Sequence, residues 1–491
     1  MTHALFFSDA FGIADGLLEN HGAFNISIVN DLPLFIDPFL YFNSEKAEYQ
    51  RIHQEMIKYL VFLKKTAQAG TVSDGIKTAL FTFPEVKQNW LGFSMSENRG
   101  RGLGNGFASS IISGFNGALR TFGEETISAG SHIEKLCLLH PGIGKDFISD
   151  FSTNMSLGFL AEYSQAFAWQ HIPEERRKAV SIRRSSFSYI TNTWVTKSYF
   201  LPWYNNDFVL LTPKDILTKD QAWINQNDLF GGFDGVVESL TNEALRQQVD
   251  AYFQRRLAEF KKPGKEDVDK VVVETLEKWP VLIDYFIKTK EDEGERASSV
   301  ANVNVEFVSN IFVQNVQKLV SDFLAPGGFP SMPKKTSAEA MQRLLFLKDV
   351  IETKGGHKLF WWGDKSVERE SDLQILYRLT WIGTALDISR ERNDGRGPVD
   401  FAASLGAEDK TLIEFKLAKN SKLKQNLENQ CGVYEGASDA TAPSIKAIFY
   451  FTEQQHQRVS GILNELGITN DPNVVLIDVR SDNKPSGSHA A

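Results

Sequence analysis

Two neighbouring stretches near the C-terminal end hold residue types that together do chemistry. Gly395-Arg-Gly-Pro-Val-Asp-Phe401 is followed, after a short turn, by Thr411-Leu-Ile-Glu-Phe-Lys-Leu417. The second stretch alternates between faces: Leu412, Glu414 and Lys416 point one way, and Ile413, Phe415 and Leu417 the other. One face is apolar. The other sets a carboxylate and an ammonium roughly 6 to 7 Å apart along a strand, far enough to hold a cation and close enough to share one water. Paired as adjacent strands, the two stretches bring Asp400 beside Glu414 and Lys416. Hydrolysis of a phosphodiester puts a nucleophile onto an already anionic phosphorus, so it needs a cation to offset charge and to generate hydroxide near neutral pH. Mg²⁺ or Mn²⁺ takes oxygen ligands, and Asp400, Glu414 and the backbone carbonyl of Phe415 form a partial set of them. Lys416 is then the group that orients the attacking water and offsets charge at phosphorus. Two acids held close without a cation repel, so neutralising either is expected to leave folding intact and to raise the stability of the metal-free chain.

These residues must be positioned by elements that the pattern also supplies. The sequence predicts helix 371–385, strand 386–391, strand 398–404, strand 411–417, helix 422–437, strand 445–452, helix 453–466 and strand 473–478. In this order, with Asp400 followed by Glu414-Phe-Lys416, the chain resembles the PD-(D/E)xK nuclease superfamily. Gln430-Cys-Gly-Val-Tyr434 resembles the Q-h-x-x-Y motif of its RecB and lambda-exonuclease branch, and Gln430 and Tyr434 lie one helical turn apart. The dipeptide before the first acid is Val399-Asp400, so the name-giving Pro-Asp pair is not literal.

The resemblance covers the last third of the chain. It implies an α/β C-terminal domain with a restriction-endonuclease-like α-β-β-β-α-β core. It implies Asp400, Glu414, Lys416, Gln430 and Tyr434 in catalysis, and Asp400, Glu414, Phe415 and Glu370 around the metal. Glu370 reads equally well as an acid complementing a helix N-terminus, and Tyr434 equally well as a core aromatic. The implied activity is Mg²⁺- or Mn²⁺-dependent cleavage of DNA, in restriction or defence against foreign DNA in a bacterial cytoplasm. Other classes are a catalytically idle nucleic-acid-binding module on the same fold and an RNA-cleaving effector. A homo-oligomer and a protein partner or activator engaging the N-terminal region are compatible with the resemblance.

A net charge of −9 over 491 residues argues against a chain that coats nucleic acid indiscriminately, so binding has to be local. The local patch is Arg396, Lys419, Lys422 and Lys424, with Lys410 and Arg392 beside them. A solvated loop is the plainer reading of such a run. Two cysteines, Cys137 and Cys431, imply neither a disulfide scaffold nor a zinc site. No apolar run approaches a membrane span and the first residues lack a basic signal-peptide region, so no membrane partner and a cytoplasmic location are expected.

The rest reads as a larger, mainly α (α+β) N-terminal region: residues 1–235, a candidate recognition domain, a mainly helical stretch 236–325, and a linker at 326–339 with Ala325-Pro-Gly-Gly-Phe-Pro-Ser-Met-Pro333. The nuclease-like domain is set at 340–485. Arg99-Gly-Arg-Gly-Leu-Gly-Asn-Gly106 is either a phosphate cradle or a turn, and Pro141-Gly-Ile-Gly-Lys145 lacks the spacing of a nucleotide-binding loop, which excludes an ATPase.

Overall fold

The computed structural model describes residues 5–29, 31–92, 102–117, 119–139, 145–319, 335–363, 365–367, 369–379, 381, 387–389, 401–404, 409–433 and 443–484. In the N-terminal region the long helices are α1 (Ala47–Gln68) and α2 (Lys145–His171), against which lies a hairpin of β1 (Arg177–Ser188) and β2 (Thr193–Tyr204). Ile182, Tyr199 and Leu201 of the hairpin bury against Leu157 and Ala161 of α2. Helix and hairpin approach so closely at Gly158 that a Cβ there would stand 2.1 Å from the Ser185 carbonyl oxygen. Helices α3 (Glu243–Leu257), α4 (Lys265–Lys278), α5 (Val281–Asp292) and α6 (Gly294–Val308) follow.

The C-terminal region contains α7 (Thr336–Thr353), α8 (Glu370–Leu379), β3 (Asp387–Ser389), β4 (Phe401–Ser404), β5 (Lys410–Leu417), α9 (Leu423–Val433), β6 (Ile445–Tyr450), α10 (Glu453–Glu465) and β7 (Val474–Asp478). Its sheet has the order β7-β6-β5-β4-β3. Strands β3, β4 and β5 pair antiparallel, while β5, β6 and β7 run parallel and need the crossovers through α9 and α10. The chain is thus mixed α/β. Strand β6 stops two residues short of the expected 452 because Thr452 caps α10, its Oγ1 accepting from Gln455 N at 3.2 Å.

The sheet has two different faces. Ile413, Phe415 and Leu417 join Ile445, Ala447 and Phe449 in a large core with α7 and α8. On the opposite face Ile448 and Tyr450 pack with Leu423 and Leu427 of α9 and Val459 and Leu463 of α10. The large core does not stop at the expected linker. It runs on through Val305 to Val316 into α1 and the first forty residues. Two ion pairs cross the same junction: Lys219 to Asp372 at 3.3 Å, both buried, and Arg369 to Asp220 at 2.7 Å. The two regions therefore share one interior, although the sequence suggests separate bodies.

Candidate functional site

Strand β5 owes its position to its apolar edge positions. Phe415 stands between Tyr377 of α8, with ring centroids 4.9 Å apart, and Phe401 and Phe449 at 6.0 Å. With Phe415 fixed in that core, the pleat turns its neighbours Glu414 and Lys416 to the opposite face. Glu414 is 1% exposed and Lys416 5%, and Lys416 Nζ lies 3.7 Å from Glu414 Oε2. The side chain of Phe415 is core, which leaves only its carbonyl for any ligand role.

The register adds a residue that sequence reasoning missed. Glu414 is the cross-strand partner of Lys446 on β6, which is buried to 3% exposure. The signal was present: Ile445-Lys-Ala-Ile-Phe-Tyr450 places one lysine in an otherwise apolar strand. Glu414 thus has the Lys416 ammonium at 3.7 Å on its own strand and Lys446 as its register partner on the next.

Asp400 lies outside the described residues, as do Arg396 and Tyr434, and Gln430 falls within α9 without a described side chain. Phe401, which follows Asp400 in the chain, pairs with Ile413, which precedes Glu414. Glu370 stands at the start of α8, and its Oε1 accepts from Leu417 N and from Asn420 Nδ2, both at 3.1 Å. Its described bonds tie α8 to the end of β5. Arg458 of α10 donates to the carbonyls of Ala418 and Asn420 at 2.9 and 2.8 Å, so the loop after β5 is held from both sides. On that loop and the start of α9, Lys419 and Lys422 are exposed. Lys424 is exposed too, but it bonds Glu465 at 2.9 Å, and this partner holds its ammonium above the ordinary lysine range.

Among the described residues no group of three or more His, Cys, Asp or Glu is placed to hold a metal ion. Among them, too, no helix is long and apolar enough to cross a membrane.

Comparison with known proteins finds two family matches along the chain. Residues 336–453 match a domain of unknown function, DUF8371. That match runs from α7 to the first residue of α10 and includes β5 and β6. Residues 12–225 match a second domain of unknown function, DUF8370, which spans α1, α2 and the hairpin. No curated protein and no solved structure matches the chain.

Proposed function

We propose that the buried face of β5 is the centre of a metal-dependent nuclease that hydrolyses phosphodiester bonds of DNA. The observation that carries this reading is the pairing of Glu414 and Lys416, 3.7 Å apart, on one face of the middle strand of a mixed sheet. The order of helices and strands around it agrees with the α-β-β-β-α-β core that the sequence resembles. The donor set suits Mg²⁺ or Mn²⁺, because the oxygens of Asp400, Glu414 and the Phe415 carbonyl are hard ligands and carry two negative charges. When bound, the cation would neutralise charge at phosphorus and generate the hydroxide nucleophile.

The chain's own residues have distinct roles in this reading. Glu414 supplies a carboxylate for the cation, beside the Lys416 ammonium at 3.7 Å. Lys416 orients the water and stabilises charge that develops in the transition state. Lys446 adds a second fixed positive charge that attracts a phosphate towards the strand. Exposed Lys419 and Lys422 steer the nucleic-acid backbone. A specific observation favours a second reading, an idle binding module: Glu414 and Lys416 are so deeply buried that they also make sense as a structural ion pair.

The deciding experiment incubates the purified full-length chain with plasmid DNA, and separately with RNA, in Mg²⁺, Mn²⁺ or chelator. Metal-dependent DNA cleavage that is lost in both Asp400→Ala and Glu414→Ala supports the proposal. No cleavage, or cleavage that persists in either variant, rejects it; cleavage of RNA alone moves the substrate to RNA.

A further inference from the structure

The hairpin of β1 and β2 differs in composition from the rest of the chain. Between Arg176 and Tyr204 there are six cations and no acid, in a chain whose net charge is −9. The same 29 positions hold seven aromatic residues. Its inward face packs on α2. Its outward face is open and follows the register, Ala179 opposite Phe200 and Ser181 opposite Ser198, all exposed; the likewise exposed Arg183 stands where the register shifts before Ser186.

The open face ends in an aromatic platform. Trp169, at the end of α2, is 53% exposed and Phe200 is 45% exposed, with ring centroids 5.1 Å apart. The Arg177 guanidinium, on the same face as Phe200, lies 4.4 Å from the Trp169 ring centroid. Stacking keeps this cation at a ring face, where it stays available to an anion. Among the described residues no carboxylate forms an ion pair with Arg177, Lys178 or Arg183.

We infer that this face binds single-stranded nucleic acid. A polyanion is what an acid-free basic hairpin on an acidic chain selects by charge complementarity. Exposed rings with a stacked guanidinium group ask for flat, unstacked bases, which a duplex does not offer. Between the rings and Arg183 the surface is hydroxyl-rich, with Ser181 and Ser198 Oγ atoms 3.1 Å apart. Hydroxyls suit phosphate and sugar, whereas an inserted lipid layer would strip them of water. The inference stands apart from the chemistry of the sheet site, since binding is measurable with metal chelated.

The test is fluorescence anisotropy of a labelled 20-nucleotide single strand with the full-length chain in chelator. The strand is expected to bind more tightly than the matching duplex. Trp169→Ala combined with Phe200→Ala should weaken binding about tenfold or more, whereas Phe200→Tyr should leave it near wild type. Arg183→Ala should lower the slope of log affinity against log salt by about 0.7. Circular dichroism shows whether the variants are folded, as substitution of exposed residues predicts. Asp400→Ala should bind like wild type, which separates a failure here from a failure of the nuclease reading. No binding, equal binding to the duplex, binding unaffected by loss of both rings, or capture by anionic vesicles in place of the strand would each overturn the inference.

Discussion

Replacing Glu414 with Gln removes the negative partner of a buried pair and leaves the ammonium groups of Lys416 and Lys446 behind. The separation of 3.7 Å between Lys416 Nζ and Glu414 Oε2 sets the scale. At an effective dielectric constant near 20, two unit charges at this distance attract by about 4.5 kcal/mol. The carboxylate no longer has to be desolvated in the variant, so the net cost is smaller, about 3 kcal/mol, at the lower end of what breaking a buried pair costs. This is opposite to the expectation from the sequence, which weighed the repulsion of two adjacent acids and not the attraction between Glu414 and Lys416 at 3.7 Å. The companion variant is Lys416→Met, and the double variant should be more stable than Glu414→Gln alone, with a coupling of about 2 kcal/mol. Hydrogen exchange of the β5 amides, read by mass spectrometry without metal, measures the local stability directly. If Glu414→Gln stays within about 0.5 kcal/mol of wild type, or the double variant shows no coupling, the pair does not hold this strand and the electrostatic reasoning fails.

Lys416→Ala should lower turnover strongly with modest loss of DNA affinity, and exposed Lys422→Ala should weaken affinity and shallow its salt slope by about one phosphate contact while sparing turnover; equal effects on both would make Lys416 merely part of a basic patch. Glu370→Ala should cost about 1 to 2 kcal/mol and expose the 417–420 amides to exchange, and Mg²⁺ affinity unchanged by isothermal titration would assign Glu370 to strand anchoring alone. Gly158→Ala should lower stability by about 2 to 3 kcal/mol, because the added methyl meets the Ser185 carbonyl, and hairpin amides should lose protection first. Burial, helped by nearby His132, pushes the His53 imidazole down to about 3. Its unfolded form takes a proton near pH 6.5 while the folded form does not, so its contribution to stability is complete above that pH and is lost as pH falls towards 3. His53→Leu should therefore flatten the fall in stability between pH 6 and 4 by about 1.4 kcal/mol per unit in urea titrations. Asp37, raised by burial to about 6, works in the opposite direction but is common to both chains.

Strands β5 and β6 and helix α10 were legible because each carries a complete local signal. Strand β5 alternates cleanly, β6 is a short apolar run, and Thr452 marks the start of α10. The pairing of Glu414 with Lys446 was not legible, since nothing local states which strand a parallel crossover will set beside another. The hairpin at 177–204 was not legible, because serines and cations occupy its outward positions and hide the inward alternation of Val180, Ile182, Tyr199 and Leu201. The shared interior was hidden for another reason. A Pro/Gly-rich stretch announces a break in regular structure, but it says nothing about whether the segments on either side pack together again.

That shared interior constrains how the two halves can be recombined. Lys219 and Asp372 meet at 3.3 Å with side chains 7% and 1% exposed, although 153 positions separate them. A chimera that takes residues 1–319 from this chain and 335–484 from a divergent relative inherits one member without any guarantee of the other. An orphaned Asp372 would be a buried carboxylate, already driven towards its protonated form by desolvation and now stripped of the ammonium that opposes this. The stretch that looks most permissive for grafting is thus one across which the two parts have to be exchanged as matched sets, with Lys219 and Asp372 travelling together.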